Sequence, residues 1–185
     1  MEGGMKEVTV ASLGLDKASS TPVVILQERD GQRLLPIWIG PGEASAIAME
    51  LAGIEFQRPL THDLLITVVK GLGSALVRVV ITKVVENTYY ASLLFEREDE
   101  LISIDARPSD SIALALRADA PIFASETLLE TSALEIEESD FGEIGELGES
   151  AGIGETAQGE AEETAEGLRE YLKGLNPEDF GRFNP

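Results

Sequence analysis

Ala75-Leu-Val-Arg-Val-Val-Ile-Thr-Lys-Val-Val85, then Glu86-Asn87, then Thr88-Tyr-Tyr-Ala-Ser-Leu-Leu-Phe95 decides the fold class. The first run is long and β-branched, with Arg78 and Lys83 breaking its apolar character, which suits a pleated, half-buried surface. Glu86-Asn87 is turn-like, so the second run is predicted to pair back antiparallel. Beyond the solvated turn Glu96–Glu100, Leu101-Ile-Ser-Ile-Asp105 adds another strand. Upstream, Glu7-Val-Thr-Val-Ala-Ser-Leu13 alternates, and Asp30-Gly31 marks a hairpin between Pro22-Val-Val-Ile-Leu-Gln27 and Arg33-Leu-Leu-Pro-Ile-Trp-Ile39.

Helical spacing falls between and after these strand blocks. Glu43 to Ala52 carries Ala44, Ile47, Ala48 and Leu51 on one face, with Gly53 as its end. A second helix is predicted from Thr61 through Leu64, Leu65, Val68 and Val69, with Gly71 as the stop. In a third, Ser109 caps Ile112-Ala-Leu-Ala-Leu116 ahead of Pro121. Ile122-Phe-Ala124 reads as a short strand and Glu126–Glu130 as a helical turn. Strands before and after a helical pair, without βαβ alternation, predict an α+β fold: a largely antiparallel sheet with helices packed on it.

The chain of 185 residues carries a formal net charge of -20, unevenly placed. Residues 1–130 hold a net -8 and residues 131–185 a net -12. Three parts are expected: a domain over 1–130, an acidic Gly/Glu-rich linker over 131–160, and a C-terminal helix and tail over 161–185. The linker stretch Gly142-Glu-Ile-Gly-Glu-Leu-Gly-Glu149 has too few apolar side chains to offset the entropy of ordering, which predicts a flexible acidic tail. No apolar run approaches the roughly 18 residues of a membrane span, so no membrane association and a cytoplasmic location are expected. With no cysteine, disulfides, thiolate metal sites and cysteine nucleophiles are excluded. With one histidine, any metal would be held mainly by oxygen, which favours Mg²⁺ or Mn²⁺ over zinc.

Two look-alike blocks carry the chemistry: Arg58-Pro-Leu-Thr-His-Asp63 and Arg107-Pro-Ser-Asp110. Each sets an arginine before proline, then a hydroxyl residue and an acid at a helix start. The plain reading is a helix cap with an ion pair. The functional reading is a phosphate site: phosphodiester hydrolysis needs a positioned water, cations to stabilise the phosphorane and a proton shuttle. His62, Asp63, Asp105, Asp110 and Glu43 are the candidate catalytic residues, and Arg58, Arg107, Thr61 and Ser109 the candidate substrate-binding ones. Asp105 and Asp110 are the candidate ligands of a divalent metal, Mg or Mn. Other chemistries lack their motifs: there is no phosphate-binding Gly-x-x-x-x-Gly-Lys-Ser/Thr loop, dinucleotide fingerprint, His-Glu-x-x-His helix or Gly-x-Ser-x-Gly elbow.

Pro36-Ile-Trp-Ile-Gly40, Glu43-Ala44, Ile47-Ala48, Arg58-Pro-Leu-Thr-His-Asp-Leu64 and Asp105-Ala-Arg-Pro-Ser-Asp-Ser-Ile-Ala-Leu-Ala-Leu-Arg117 closely resemble the bifunctional nuclease family, over roughly residues 5–130. The resemblance implies an α+β domain, a nuclease acting on both RNA and DNA with little sequence preference, and a homo-oligomer, a dimer first. Plant members add a second small module that the acidic tail here does not resemble. A non-catalytic interaction module, with Arg-Pro blocks that hold the fold or a dimer together and an acidic tail that binds a partner, is the competing reading. Limited proteolysis is expected to cut within about 137–160 and leave a folded N-terminal fragment; early cleavage inside 40–120 would contradict that division.

Overall fold

The computed structural model describes residues 4–16, 21–54, 56–132 and 134–135. The elements run β1 (Met5–Leu15), β2 (Pro22–Glu28), β3 (Arg33–Trp38), α1 (Pro41–Leu51), α2 (Thr61–Gly71), β4 (Ala75–Val85), β5 (Thr88–Arg97), β6 (Glu100–Ala106), α3 (Pro108–Ala118), β7 (Ile122–Ser125), α4 (Glu126–Ser132) and β8 (Leu134–Glu135). The strands form one sheet in the order β6-β5-β4-β7-β1-β2-β3-β8. Every neighbouring pair is antiparallel except β4 and β7, which run parallel. The α+β class and the largely antiparallel sheet are therefore as the periodicity predicts.

Two tight hairpins build one half of the sheet. Glu86 and Asn87 at φ 48° and 60°, and Glu98 and Asp99 at φ 49° and 66°, turn β4 into β5 and β5 into β6. Positive φ at both central residues is the twist-matched hairpin turn. Residues Glu96, Arg97 and Glu100, read as turn, instead extend the strands, because the two-residue turn needs only Glu98-Asp99. The chain then returns through α3 to β7, beside β4, and this crossover produces the parallel pair.

The helices cover one sheet face. Leu76, Val79 and Ile81 of β4, Leu93 and Phe95 of β5, and Leu26, Leu35 and Ile37 of β2 and β3 meet Ile47 of α1, Ile66 of α2 and Ile112 of α3 in one core. The α3 segment Ser111-Ile-Ala-Leu-Ala115 is the most buried, with no residue above 1% exposed. Its small residues let α3 lie close to the sheet while α1 and α2 pack along it. On the opposite face Val23, Ile25 and Leu34 form a second, small cluster.

The helix ends correct the sequence reading in two places. Neither Thr61 nor Ser109 caps its helix: Leu60 and Arg107 hold the N-cap positions, with no side-chain cap bond. Pro108 occupies a first-turn position that needs no N–H donor, which moves the cap back onto Arg107. The stop of α2 is Gly73 rather than Gly71. Gly73 at φ 72° and Gly53 at φ 62° each sit one past a C-cap, where Gly73 N–H reaches the Lys70 carbonyl and Ser74 N–H that of Val69.

At the C-terminal limit, α4 runs to Ser132 and β8 pairs Leu134 and Glu135 with β3, past residue 130. The rest of the expected linker and the expected C-terminal helix and tail lie outside the described residues.

Arg117 joins the three long helices. Its side chain is 6% exposed, and Nε donates to Asp63 Oδ1 of α2 at 2.5 Å. Nη1 donates to the Ala113 carbonyl at 3.0 Å and Nη2 to the Ala46 carbonyl of α1 at 3.1 Å. Glu50 of α1 lies 3.5 Å from Nε. Arg117→Met keeps the apolar stem but strands these acceptors, and it is expected to cost about 3 kcal/mol, the low end for breaking a buried ion pair. Urea denaturation of the full chain measures it, and a loss below about 0.5 kcal/mol would contradict the linking role.

Candidate active site

Three helix starts meet at one place. Glu43 lies in the first turn of α1, His62 in that of α2, Asp110 in that of α3, and Arg107 caps α3. Arg107 Nη1 is 2.8 Å from Glu43 Oε1, while its Nε and Nη2 donate to Asp110 Oδ2 and Oδ1 at 2.7 and 3.1 Å. His62 Nε2 stands 3.5 Å from Asp110 Oδ1. Residues 62 and 110, separated by the whole β4–β6 meander, are thus neighbours. The helix starts explain the composition: each projects unpaired N–H groups and a partial positive charge, and the guanidinium adds more, so carboxylates settle among them. The Glu43 carboxylate folds back over the α1 start, where it lies against Gly40 at the cap.

The side chains differ in access. His62 is 17% exposed and Arg107 66%, with Glu43 and Asp110 between them. His62 therefore sits at the floor of the cluster and Arg107 at its solvent rim. Burial pushes the Asp110 carboxyl up, but hydrogen bonds from Arg107, its charge and His62 outweigh this and hold it below its ordinary value. Arg107 is raised in turn, chiefly by its hydrogen bonds to Asp110 and by the charges of Asp110 and Glu43.

The two Arg-Pro blocks are not equivalent. Counted from the helix start, Asp63 and Asp110 hold the same position, but Leu60 intervenes in the first block and shifts Arg58 outward. Arg58 lies exposed on the loop before α2 and forms no ion pair among the described residues. Asp63 turns away from the cluster: its Oδ2 accepts the Leu60 N–H at 2.8 Å and its Oδ1 binds Arg117. Burial raises its carboxyl, but Arg117, the Leu60 N–H and His62 together leave it below its ordinary value.

Three other expected members stand apart. Thr61 is exposed beside His62, whereas Ser109 is buried at 7% exposure and turned from the solvent a substrate would come from. Asp105 pairs in register with Ser92, and Ala106 with Ala91 of the core. Alternation along β6 therefore directs Asp105 to the sheet face opposite the helices. Asp105 and Asp110 do not form the metal-holding pair expected from the sequence. Among the described residues, no group of three or more histidine or acidic side chains is arranged to hold a metal ion. Glu43 and Asp110 are the acids that do approach each other, and Arg107 stands between them. Two surface depressions, of about 320 and 440 Å³, open around Arg78 and Phe123, and no candidate residue lines either.

Arg117 was the residue that sequence reasoning passed over as part of the site. A basic residue in the last turn of a helix reads as a dipole partner, and no local spacing shows that it reaches back to Asp63.

Residues 24–137 match the model of the bifunctional nuclease domain, and the chain belongs to that family. Over 177 residues, 95% of this chain and 98% of the relative, it is 40% identical to Uncharacterized protein Rv1829 of Mycobacterium tuberculosis. That span necessarily takes in residues beyond the matched domain. It is 28% identical to Bifunctional nuclease 1 of Oryza sativa subsp. japonica over 124 residues, 65% of this chain and 38% of the plant protein. Bifunctional nuclease 1 of Arabidopsis thaliana is likewise 28% identical, over 64% of this chain and 38% of its own. No helix among the described residues is long and apolar enough to cross a membrane.

Asp63 and Asp110 set an acid limit on stability. A carboxylate whose pKa is depressed by folding contributes stability above its unfolded value, near 3.9, and loses it as pH falls through the folded value. Unfolding midpoints are expected to hold steady from about pH 5 to 7 and to drop below about pH 4. In Asp63→Asn the drop should be shallower, from a lower starting stability. An unchanged acid limb in that variant would contradict the shift.

Proposed function

We propose that the chain is a nuclease that hydrolyses phosphodiester bonds of RNA and DNA with low sequence specificity, and that the reaction takes place at the Glu43–His62–Arg107–Asp110 cluster. The observation that carries this reading is the approach of His62 to Asp110 beside a solvent-facing Arg107. If Nε2 of His62 carries the proton directed at Asp110, Nδ1 is left as the free base. His62 takes a proton from the attacking water, the new P–O bond forms, and the bond to the leaving oxygen breaks as solvent protonates it. Arg107, at the α3 start, stabilises the negative charge that grows on the phosphorane oxygens. Arg58, exposed on the adjoining loop, is a further phosphate contact, and Thr61 a hydroxyl beside it.

A divalent ion, Mg²⁺ or Mn²⁺, is part of the proposal, but not on Asp105 and Asp110 together. Glu43 and Asp110 are the acids that would hold it, in competition with Arg107. Bound there it would polarise a phosphate oxygen or a water. The net charge of -20 makes binding of nucleic acid depend on these local cations, so cleavage should weaken steeply as salt rises. We place the protein in the cytoplasm, as a homo-oligomer, a dimer first.

The competing reading, an interaction module without catalysis, is favoured by one observation. Leu64, Leu65 and Val68 of α2 and its C-cap Leu72 are 43–66% exposed on one side of the helix, an apolar surface that catalysis does not use.

Purified full-length chain assayed on single-stranded RNA and DNA at low salt, with and without chelator, decides between them. His62→Ala is expected to lower turnover by about 10²-fold, the low end for a general acid–base group. Asp110→Asn and Arg107→Lys should also impair it, since lysine cannot reproduce a two-pronged contact. Asp105→Asn should leave turnover within about twofold, because its side chain lies on the other sheet face. No cleavage with any divalent metal would hand the case to the interaction module. Retention of chelator-resistant cleavage would remove the metal from the proposal while leaving the cluster.

A further inference from the structure

The sheet ends differently at its two edges. At one end the described part of β8 is Leu134 and Glu135. At the other, β6 presents seven residues, Glu100-Leu-Ile-Ser-Ile-Asp-Ala106, all exposed except the half-buried Ala106. An open strand edge carries a row of unpaired N–H and C=O groups, which folded proteins usually blunt with lysine, proline, a bulge or shortness. β6 holds no lysine or proline, its register with β5 is unbroken from Arg97–Glu100 to Ala91–Ala106, and its charges, Glu100 and Asp105, lie towards its ends and leave Leu101 to Ile104 between them. Its apolar side chains are uncovered too, with Leu101 64%, Ile102 40% and Ile104 47% exposed.

Ile102 and Ile104 pair in register with Phe95 and Leu93, both buried in the main core. The core face of the sheet therefore continues onto β6, and no helix or strand among the described residues covers it there. Side chains alternate in the pattern Ile-Ser-Ile about Ser103, and a two-fold antiparallel pairing of β6 with itself must match residue i to j and j to i. Centred on Ser103, Ile102 meets Ile104 of the second copy twice, on the core face. In the same register Glu100 faces Ala106, and the acidic turn residue Asp99 comes level with Arg107 of the second copy.

We propose that β6 is a homodimer surface: two copies of this chain join edge to edge through antiparallel β6 strands centred on Ser103, continuing the sheet across the pair. This gives the dimer proposed above its contact, and it stands on the strand alone, independent of any nuclease activity. It also brings the Glu98-Asp99 turn of each copy beside the Arg107 rim of the other copy's cluster. A slip of one residue is excluded because it sets core-face residues against outer-face ones, and of the registers that keep the faces matched the one centred on Ser103 pairs Ile102 with Ile104 twice.

The native chain lacks cysteine, so a single introduced thiol reports the register directly. Residues directly opposite in an antiparallel pair have Cα atoms about 4.5–5.5 Å apart, within the span of a disulfide. Under mild oxidation full-length Ser103→Cys is expected to give a covalent dimer, and Thr88→Cys, exposed at the other hairpin, to form no covalent link. Light scattering across a dilution series should find the native chain moving towards twice 19.8 kDa. Ile104→Lys should weaken the dimer at least about tenfold, since two cross-strand pairs are lost and a lysine is set in each edge. Circular dichroism and the thermal midpoint of Ile104→Lys check that the variant folds, and Leu101→Lys on the outer face provides a second edge variant if it does not. A native chain that stays monomeric at near-millimolar concentration would overturn the proposal. So would cross-linking as efficient at residue 88 as at 103, or a dimer unchanged by the edge variants, which would point to the apolar face of α2. Because mass and cross-linking are read without substrate, failure here and failure of the nuclease reading are separate results.

Discussion

A buried guanidinium holds the helical layer in place. Arg117 is enclosed between α1, α2 and α3, and its donors are spread over a carboxylate and two backbone carbonyls from those helices. A charge removed from water must be matched by good partners or it destabilises the fold, and here each helix supplies one. The consequence reaches the surface. Asp63 is locked by Arg117 on one side and by the Leu60 N–H on the other. The start of α2 is thereby fixed, and His62, its neighbour in the chain, is held against Asp110. The internal pair and the surface cluster are two ends of one arrangement.

That arrangement concentrates opposing charges. Three helix starts and an arginine would together repel any cation and attract any anion, and Glu43 and Asp110 neutralise part of that field. What remains is a site in which a histidine lies inside, an arginine lies outside, and two acids tie them together. Such an exposed ion pair adds little to stability. The cluster is better understood through what it can bind than through what it holds up.

The sheet imposes its own division. Its helical face carries the core and the cluster, while Asp105, Ser92 and Arg78 belong to the other face or its depressions. A motif that is continuous in sequence, Asp105 to Asp110, is therefore split by the sheet: one acid ends on each side within five positions. Alternation along β6 followed by a turn into α3 is enough to do this. That no described helix covers Ile102 and Ile104 follows from the same topology, since α3 leaves the edge strand and crosses back over β4 and β5.

Strand and helix identities were legible in the sequence because they rest on local periodicity: the β-branched run at 75–85, the hairpin at Asp30-Gly31 and the spacing of Ala44, Ile47 and Ala48 each need only their own neighbours. Family membership was legible for a related reason, since the Arg-Pro blocks are short and contiguous. Helix caps were less so, because a proline one position earlier or later moves the cap, as Leu60 and Arg107 show. The approach of His62 to Asp110 was suggested by two similar blocks, but the similarity itself misled on Asp63, which turns to Arg117, and alternation along β6 takes Asp105 to the other face. Which acids share a site depends on strand register, crossover direction and the long reach of Arg117 across three helices. Those are distances between residues far apart in the chain, and only tertiary packing sets them.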